Sequence, residues 1–216
     1  MVNDAGTDTP RRKYNSARRQ QDAQQTRLEI VAAAREQFLW HGWHGASMRD
    51  IARSAGVAVE TVYSNFSSKA VLLKEVLNIG VVGDAEPIPL ADRAEFQALG
   101  VGTLRERTDA LGRLMQNIHT RVARLRLVLR EAARSDDELA ELERVACAEE
   151  NESVSMGLNS VAGLEVTDRA VDGFQAFLSS DMFVLLTEVR GWSPEQYAEW
   201  ISDTTETLLK AKDVTA

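Results

Sequence analysis

The residues that could perform covalent or acid–base chemistry are three histidines, one cysteine and a scatter of serines. His41, His44, His119, Cys147 and the serines form no catalytic motif. There is no H-E-x-x-H spacing for a metal and no glycine-rich loop to cradle a phosphate. Cys147 reads as a small apolar helix residue. An enzyme is not expected, nor is a catalytic residue, a metal or a cofactor. What the spacing supports is non-covalent recognition by the segment from Ser47 to Phe66.

That segment has the make-up of two short helices crossing steeply. Ser47 and Asp50 have the spacing of a capping box, although Asp reaches back less well than Glu. Ile51, Ala52 and Ala55 give the first helix a small apolar inner face, and Gly56 permits a tight turn. A second short helix runs from about Ala58 to Asn65. Val57 and Val62 plug the core, which leaves the opposite face free. A helix presented this way enters the major groove of DNA with its N-terminal residues nearest the base edges.

The surrounding elements must hold this pair. A preceding helix is expected over about Thr26–His41, with Ile30, Ala33, Ala34 and Phe38 on one face and Gly42 as the left-handed residue after its end. A following helix spans about Ser68–Ile79. Gly80, Gly83, Pro87 and Pro89 then interrupt helical structure before Gly102, with room for a short helix near Asp92–Leu99. Thr103 and Glu106 form a capping box for a long helix reaching about Ala133. Ser135 with Glu138 caps the next, running through Cys147 to about Val161, with Gly157 weakening its end. Thr167 and Asp168 open a broadly apolar helix that Gly191 ends. Ser193-Pro194-Glu195-Gln196 starts the last one, with Tyr197, Trp200, Ile201, Thr204 and Leu208 on one face. No strand pattern occurs. The expected fold is all-α, with about nine to ten helices. Three segments follow: a disordered basic tail over residues 1–24, a helix-turn-helix domain over 25–80, and a larger helical domain over 81–216.

Composition is compatible. Hydrophobic residues are 44% and charged residues 27% of 216, ordinary for a soluble globular protein. The net charge of −8 is unevenly placed. Residues 1–76 carry +3 and residues 77–216 carry −11, so an acidic body repels phosphates and turns the basic head toward them. Arg11, Arg12, Lys13, Arg18 and Arg19 make the tail either an arm that touches DNA or a solubilising terminus. No run approaches the length of a spanning helix and no apolar signal segment opens the chain. With a single cysteine, these point to a cytoplasmic protein without membrane contact.

The spacing of Ile51-Ala52, Ala55-Gly56-Val57, Thr61-Val62-Tyr63, Phe66 and Lys69, with Phe38 and Gly42 upstream and Leu72 and Leu73 downstream, resembles the DNA-binding domain of the TetR family of bacterial transcription regulators. The resemblance covers Ile30 to Leu73. It implies that Thr61, Tyr63 and Lys69 contact phosphates, with Tyr63 also able to touch a thymine methyl, and that Ser47 meets the DNA backbone at the start of its helix. It places Ala58, Val59 and Glu60 at the exposed start of the recognition helix. There Val59 can contact a thymine methyl and Glu60 can accept from cytosine N4. Glu60 has a second reading, as a carboxylate that favours the helix N-terminus and points away from DNA. Arg49 is a further phosphate ligand, whereas Arg53 reads as a solvated residue. Ala58 stands where the family often has Ser, and Asn65 where it often has His or Tyr opposite a phosphate.

The same resemblance implies a homodimer built on the last two long helices, with Phe183, Leu186, Trp192, Trp200 and Ile201 as interface residues. The alternative is that these side chains only fill the monomer core. It also implies an effector pocket, for which Leu111, Met115, Ile118, His119, Val122, Phe174, Phe177 and Met182 are the candidates; again the alternative is ordinary core. The expected partners are a palindromic double-stranded DNA operator, a second copy of the chain and a largely apolar small molecule. The expected function is a repressor released from DNA by that effector. An activator or effector-independent regulator is the alternative, and a helical protein-interaction scaffold a remote one.

Overall fold

The computed structural model describes residues 10–211, with side chains from residue 18 onward. Residues 1–9 and the side chains of Arg11, Arg12 and Lys13 thus lie outside the described residues. Within them, ten α-helices and no strand occur. α1 (Pro10–Gly45) begins well before Thr26, so residues 10–24, expected as disordered tail, are helical. The segment is rich in Ala, Arg and Gln, all good helix formers. Once α1 nucleates against the core, propagation upstream adds one hydrogen bond per residue fixed. Gly42 interrupts α1 with φ 64° and ψ −174°, a conformation that side-chain-bearing residues rarely adopt.

α2 (Met48–Ser54), α3 (Val59–Asn65) and α4 (Lys69–Val82) follow. Gly80 does not break α4 as its type suggested. A Cβ there would lie 2.4 Å from Val122 Cγ1, so the glycine lets α4 approach α6 (Leu104–Ala132) closely. The helix instead ends at Gly83, in the left-handed conformation at φ 94°. Short helical turns, including α5 (Ala94–Gln97), cross to α6, whose capping box between Thr103 and Glu106 forms as expected.

α7 (Asp137–Ala162) is capped by Asp136, not Ser135. Its carboxylate accepts from the backbone N–H groups of Glu138 and Leu139, and a carboxylate is the stronger acceptor at a positive helix end. Gly157 lies inside α7 against Leu99 and Phe96, and the helix ends at Gly163. The helix expected unbroken from Asp168 to Gly191 is divided. α8 (Asp168–Phe177) stops at Leu178, and Ser179 caps α9 (Ser180–Val184) by accepting from the Met182 N–H. Serine hydroxyls compete with the helical backbone for such bonds. A π-helical stretch, Leu185–Val189, leads to Gly191 and α10 (Pro194–Leu209), which starts with the expected Ser193–Gln196 capping box.

Two apolar cores result. The head core gathers Phe38, Ile51, Val62, Phe66, Leu72 and Leu73, and continues into Leu125, Leu129 and Ala132 of α6 and Leu139 of α7. Packing therefore does not stop at residue 80. The body core joins α6, α8 and α10 through Leu111, Leu114, Phe174, Tyr197 and Ile201. α10 lies so close to α6 that a Cβ on Gly112 would sit 2.3 Å from the Ala198 carbonyl oxygen.

Candidate nucleic-acid interface and adjoining cavity

The α2–α3 turn is closed by a Val57 N–H that donates to the Ala52 carbonyl at 3.0 Å, with Gly56 at φ 68°. Ile51 and Val62 are fully buried, so α3 is fixed by its inner face. Its outer face shows Glu60, Tyr63 and Ser64, with Ala58 exposed at the cap. Tyr63 is 54% exposed. Ala58 makes no side-chain cap bond, as its type requires. Val59 differs from its expected exposed position: it is half-buried and packs on the head core. An apolar residue in the first turn of so short a helix finds the core within reach.

Several proposed contact groups have partners within the head. The Ser47 hydroxyl accepts from the Asp50 N–H at 3.1 Å and donates to the Asp50 carboxylate at 2.5 Å, which holds that carboxyl below its usual pKa. Asp50 also pairs with Arg53 at 3.0 Å. The Asn65 amide donates to the Thr61 carbonyl at 2.8 Å. Lys69 Nζ donates to the carbonyls of Trp43 at 2.6 Å and Ala46 at 2.9 Å, and lies over the Trp43 ring. Arg49 is exposed and has no ion-pair partner among the described residues. The exposed contact set that remains is Arg49, Glu60 and Tyr63, with half-buried Thr61 beside it.

One positioning residue was missed in the sequence. Arg27 of α1 donates to the Asn65 carbonyl at 3.1 Å, pairs with Glu75 at 2.8 Å and lies over the Phe66 ring. It ties α1 to the end of α3 and to α4. Apolar periodicity is blind to a charged residue of this kind; only its place one turn before Ile30 marked it.

Beside the head, α4, α6 and α7 enclose a cavity of about 510 Å³. Leu111, Met115, Ile118, His119 and Val122 line it. Phe174, Phe177 and Met182 do not: the opposite wall is α7 and part of α4. Phe177 packs instead on Trp200 with ring centroids 4.6 Å apart, and Phe174 belongs to the body core. Among the expected interface residues, Phe183 and Ile201 are buried within the single chain, where α9 and α10 pack on α6. Leu186, Trp192 and Trp200 keep partial exposure, and Leu185 and Val189 beside them are 41% and 68% exposed. No helix among the described residues is long and apolar enough to cross a membrane, and none of their His, Cys, Asp and Glu side chains gather as a metal site.

Comparison with known proteins agrees with this geometry. Residues 30–76 match the model for bacterial regulatory proteins of the tetR family. Over 58 residues the chain is 41% identical to the HTH-type transcriptional regulator UidR of Escherichia coli K12, a match covering 27% of this chain and 30% of that protein. The chain thus spans less than a third of the length of the curated relative it matches. NalD of Pseudomonas aeruginosa, the secondary repressor of the MexAB-OprM multidrug efflux pump, superposes with a TM-score of 0.57 at 25% identity, over 86% of this chain and 95% of that one. A member of the TetR family from Streptomyces coelicolor gives 0.59 at 20%, over 82% and 96%. A Saccharomonospora viridis protein solved in complex with choline gives 0.61 at 18%, over 89% and 100%.

Proposed function

We propose that the chain, whose helix-turn-helix matches the model for bacterial regulatory proteins of the tetR family over residues 30–76, is a cytoplasmic, homodimeric repressor of that family, released from its operator when a small molecule fills the cavity beside the head. The observation that carries this reading is the position of α4. Its Ala70, Leu72, Leu73 and Val76 lie in the head core, while its Leu77, Asn78, Val81 and Val82 line the cavity. One rigid helix thus belongs to both the reading head and the ligand wall. An effector that prefers a displaced α4 shifts the head with it and lowers operator affinity by its differential affinity for the two states.

On DNA, Tyr63, Thr61 and Arg49 supply backbone contacts and the third donor of Lys69 supplies another, while Ala58 and Glu60 face the bases. Few base-specific donors stand on that surface, so DNA shape contributes to specificity. The remaining apolar surface around Leu185, Leu186, Val189, Trp192 and Trp200 forms the dimer contact, and a two-fold axis implies a palindromic operator. A fold relative that holds choline supports a small-molecule site in this architecture.

Selection of bound genomic fragments followed by footprinting tests the reading. A palindromic footprint, protected in a salt-dependent manner, is expected. Absence of preference for any duplex would refute it.

A further inference from the structure

The cavity has apolar walls from Leu77, Phe96, Leu99, Leu111, Leu114 and Ile118. Its volume falls in the range of small-molecule sites, about 300–1,000 Å³. Its charged residues are either at the surface or already matched. Lys74 and Glu149 are exposed at the rim. The Arg126 guanidinium is taken at 3.0 Å by Glu143 and at 3.0 Å by Glu150, and Glu143 also reaches Arg130. A charged ligand would enter without a free counter-ion inside, and burying an unpaired charge is costly.

His119 is different. It is 3% exposed and lines the cavity. Its Nδ1 lies 2.9 Å from Tyr197 Oη, and its Nε2 has no hydrogen-bond partner among the described residues. Tyr197 is fully buried, and its hydroxyl has no other partner among those residues. The arrangement that leaves no buried O–H unmade has Tyr197 donating to Nδ1, because an unsatisfied buried donor is expensive. The proton of the neutral imidazole then sits on Nε2. Burial keeps the ring neutral, with its pKa held down to about 4. The Ser180 hydroxyl, also buried and lining the cavity, has no protein partner among the described residues either.

We propose that the cavity binds an uncharged, mainly apolar molecule whose oxygen acceptor is held by the Nε2–H of His119, with Tyr197 as the positioning residue that sets the tautomer. This rests on the reading of the cavity as a ligand site. Ketones, esters, lactones and apolar alcohols fit the class; carboxylates and ammonium compounds do not.

Isothermal titration of the full chain with four isosteric probes tests it: α-tetralone, tetralin, tetralin carboxylate and aminotetralin, at neutral pH. The ketone is expected to bind about tenfold or more tightly than the other three, the worth of one buried hydrogen bond. In His119→Phe/Tyr197→Phe, which leaves no orphaned hydroxyl, that preference over tetralin should vanish while tetralin affinity holds. Nitrogen-15 spectra of the histidine should show Nε2 protonated, with a shift on adding α-tetralone. Equal binding of ketone and hydrocarbon, tightest binding of a charged probe, or an Nδ1-protonated ring would overturn the His119 anchor while leaving the cavity as a ligand site. Binding of none of the four would overturn the ligand-site reading and the anchor together.

Discussion

Lys69 Nζ lies 2.6 Å from the carbonyl oxygen of Trp43 and 4.0 Å from the centroid of the same residue's ring. With the Ala46 carbonyl just past the helix also in reach, the ammonium caps the C-terminal end of α1, where the helix dipole favours a cation. Burial pulls the Lys69 pKa down, and the nearby Asp136 charge opposes that shift. The residue therefore has a structural duty in addition to the phosphate contact proposed for its third donor.

Lys69→Ala and Tyr63→Ala should consequently separate. Loss of the clamp is expected to cost the fold about 1.5–3 kcal/mol, the range for hydrogen bonds from charged groups, and to weaken DNA binding as well. Tyr63 is exposed, so its truncation should leave stability within about 0.5 kcal/mol while weakening DNA binding. Denaturant titration and gel shift on both variants read the difference. An unchanged midpoint for Lys69→Ala would remove the clamp from this account.

The buried His119 predicts an acid-sensitive fold. Its pKa is about 4 in the folded chain against 6.5 for a free imidazole. As pH falls the unfolded chain therefore takes up the proton first. Stability from this group is intact above about pH 6.5 and is lost as pH falls toward 4, in total about 3.5 kcal/mol at about 1.4 kcal/mol per unit. His119→Phe should flatten the slope of stability against pH in that window relative to the parent. Parallel slopes for the two proteins would contradict the burial.

Gly112→Ala should destabilise the body. The added methyl meets the Ala198 carbonyl, part of a helix backbone that cannot rotate aside, so α10 must move off α6. Overpacking of this kind costs about 1–3 kcal/mol. Gly173→Ala is the control, because a Cβ there meets nothing within 4 Å. Thermal denaturation should show a lowered midpoint for the first substitution and none for the second.

Deleting residues 2–20 should weaken DNA binding and make its dependence on salt shallower, since each lost phosphate contact lowers the slope of log K against log salt by about 0.9. It should also reduce helical ellipticity, as residues 10–20 are helical. An identical salt slope would make the extension a passive terminus.

Local chemistry was legible from the chain alone. Ser47, Thr103, Thr167 and Ser193 cap helices where their types and spacing said they would, because capping is decided within one turn. Gly42 and Gly56 take positive φ where a turn demanded it. Gly80 and Gly157, whose type suggests a weak point, stand inside helices that continue past them. For Gly80 the reason is a neighbour distant in sequence, since Val122 leaves no room for a Cβ; at Gly157 a Cβ would meet Leu99 and Phe96 only at ordinary contact distance.

The sequence by itself determined the all-α class, the helix-turn-helix and the face it exposes, since periodicity and turn residues act over a few positions. Only the tertiary structure decided which groups remain free for a partner. It turned Lys69 and Asn65 inward, buried Phe183 and Ile201 within one chain, and moved the cavity wall from Phe174 and Phe177 to α7. An apolar stripe states that a helix must be covered but not by which partner, and a donor's type does not say which acceptor it will meet. Those choices depend on how helices far apart in sequence pack.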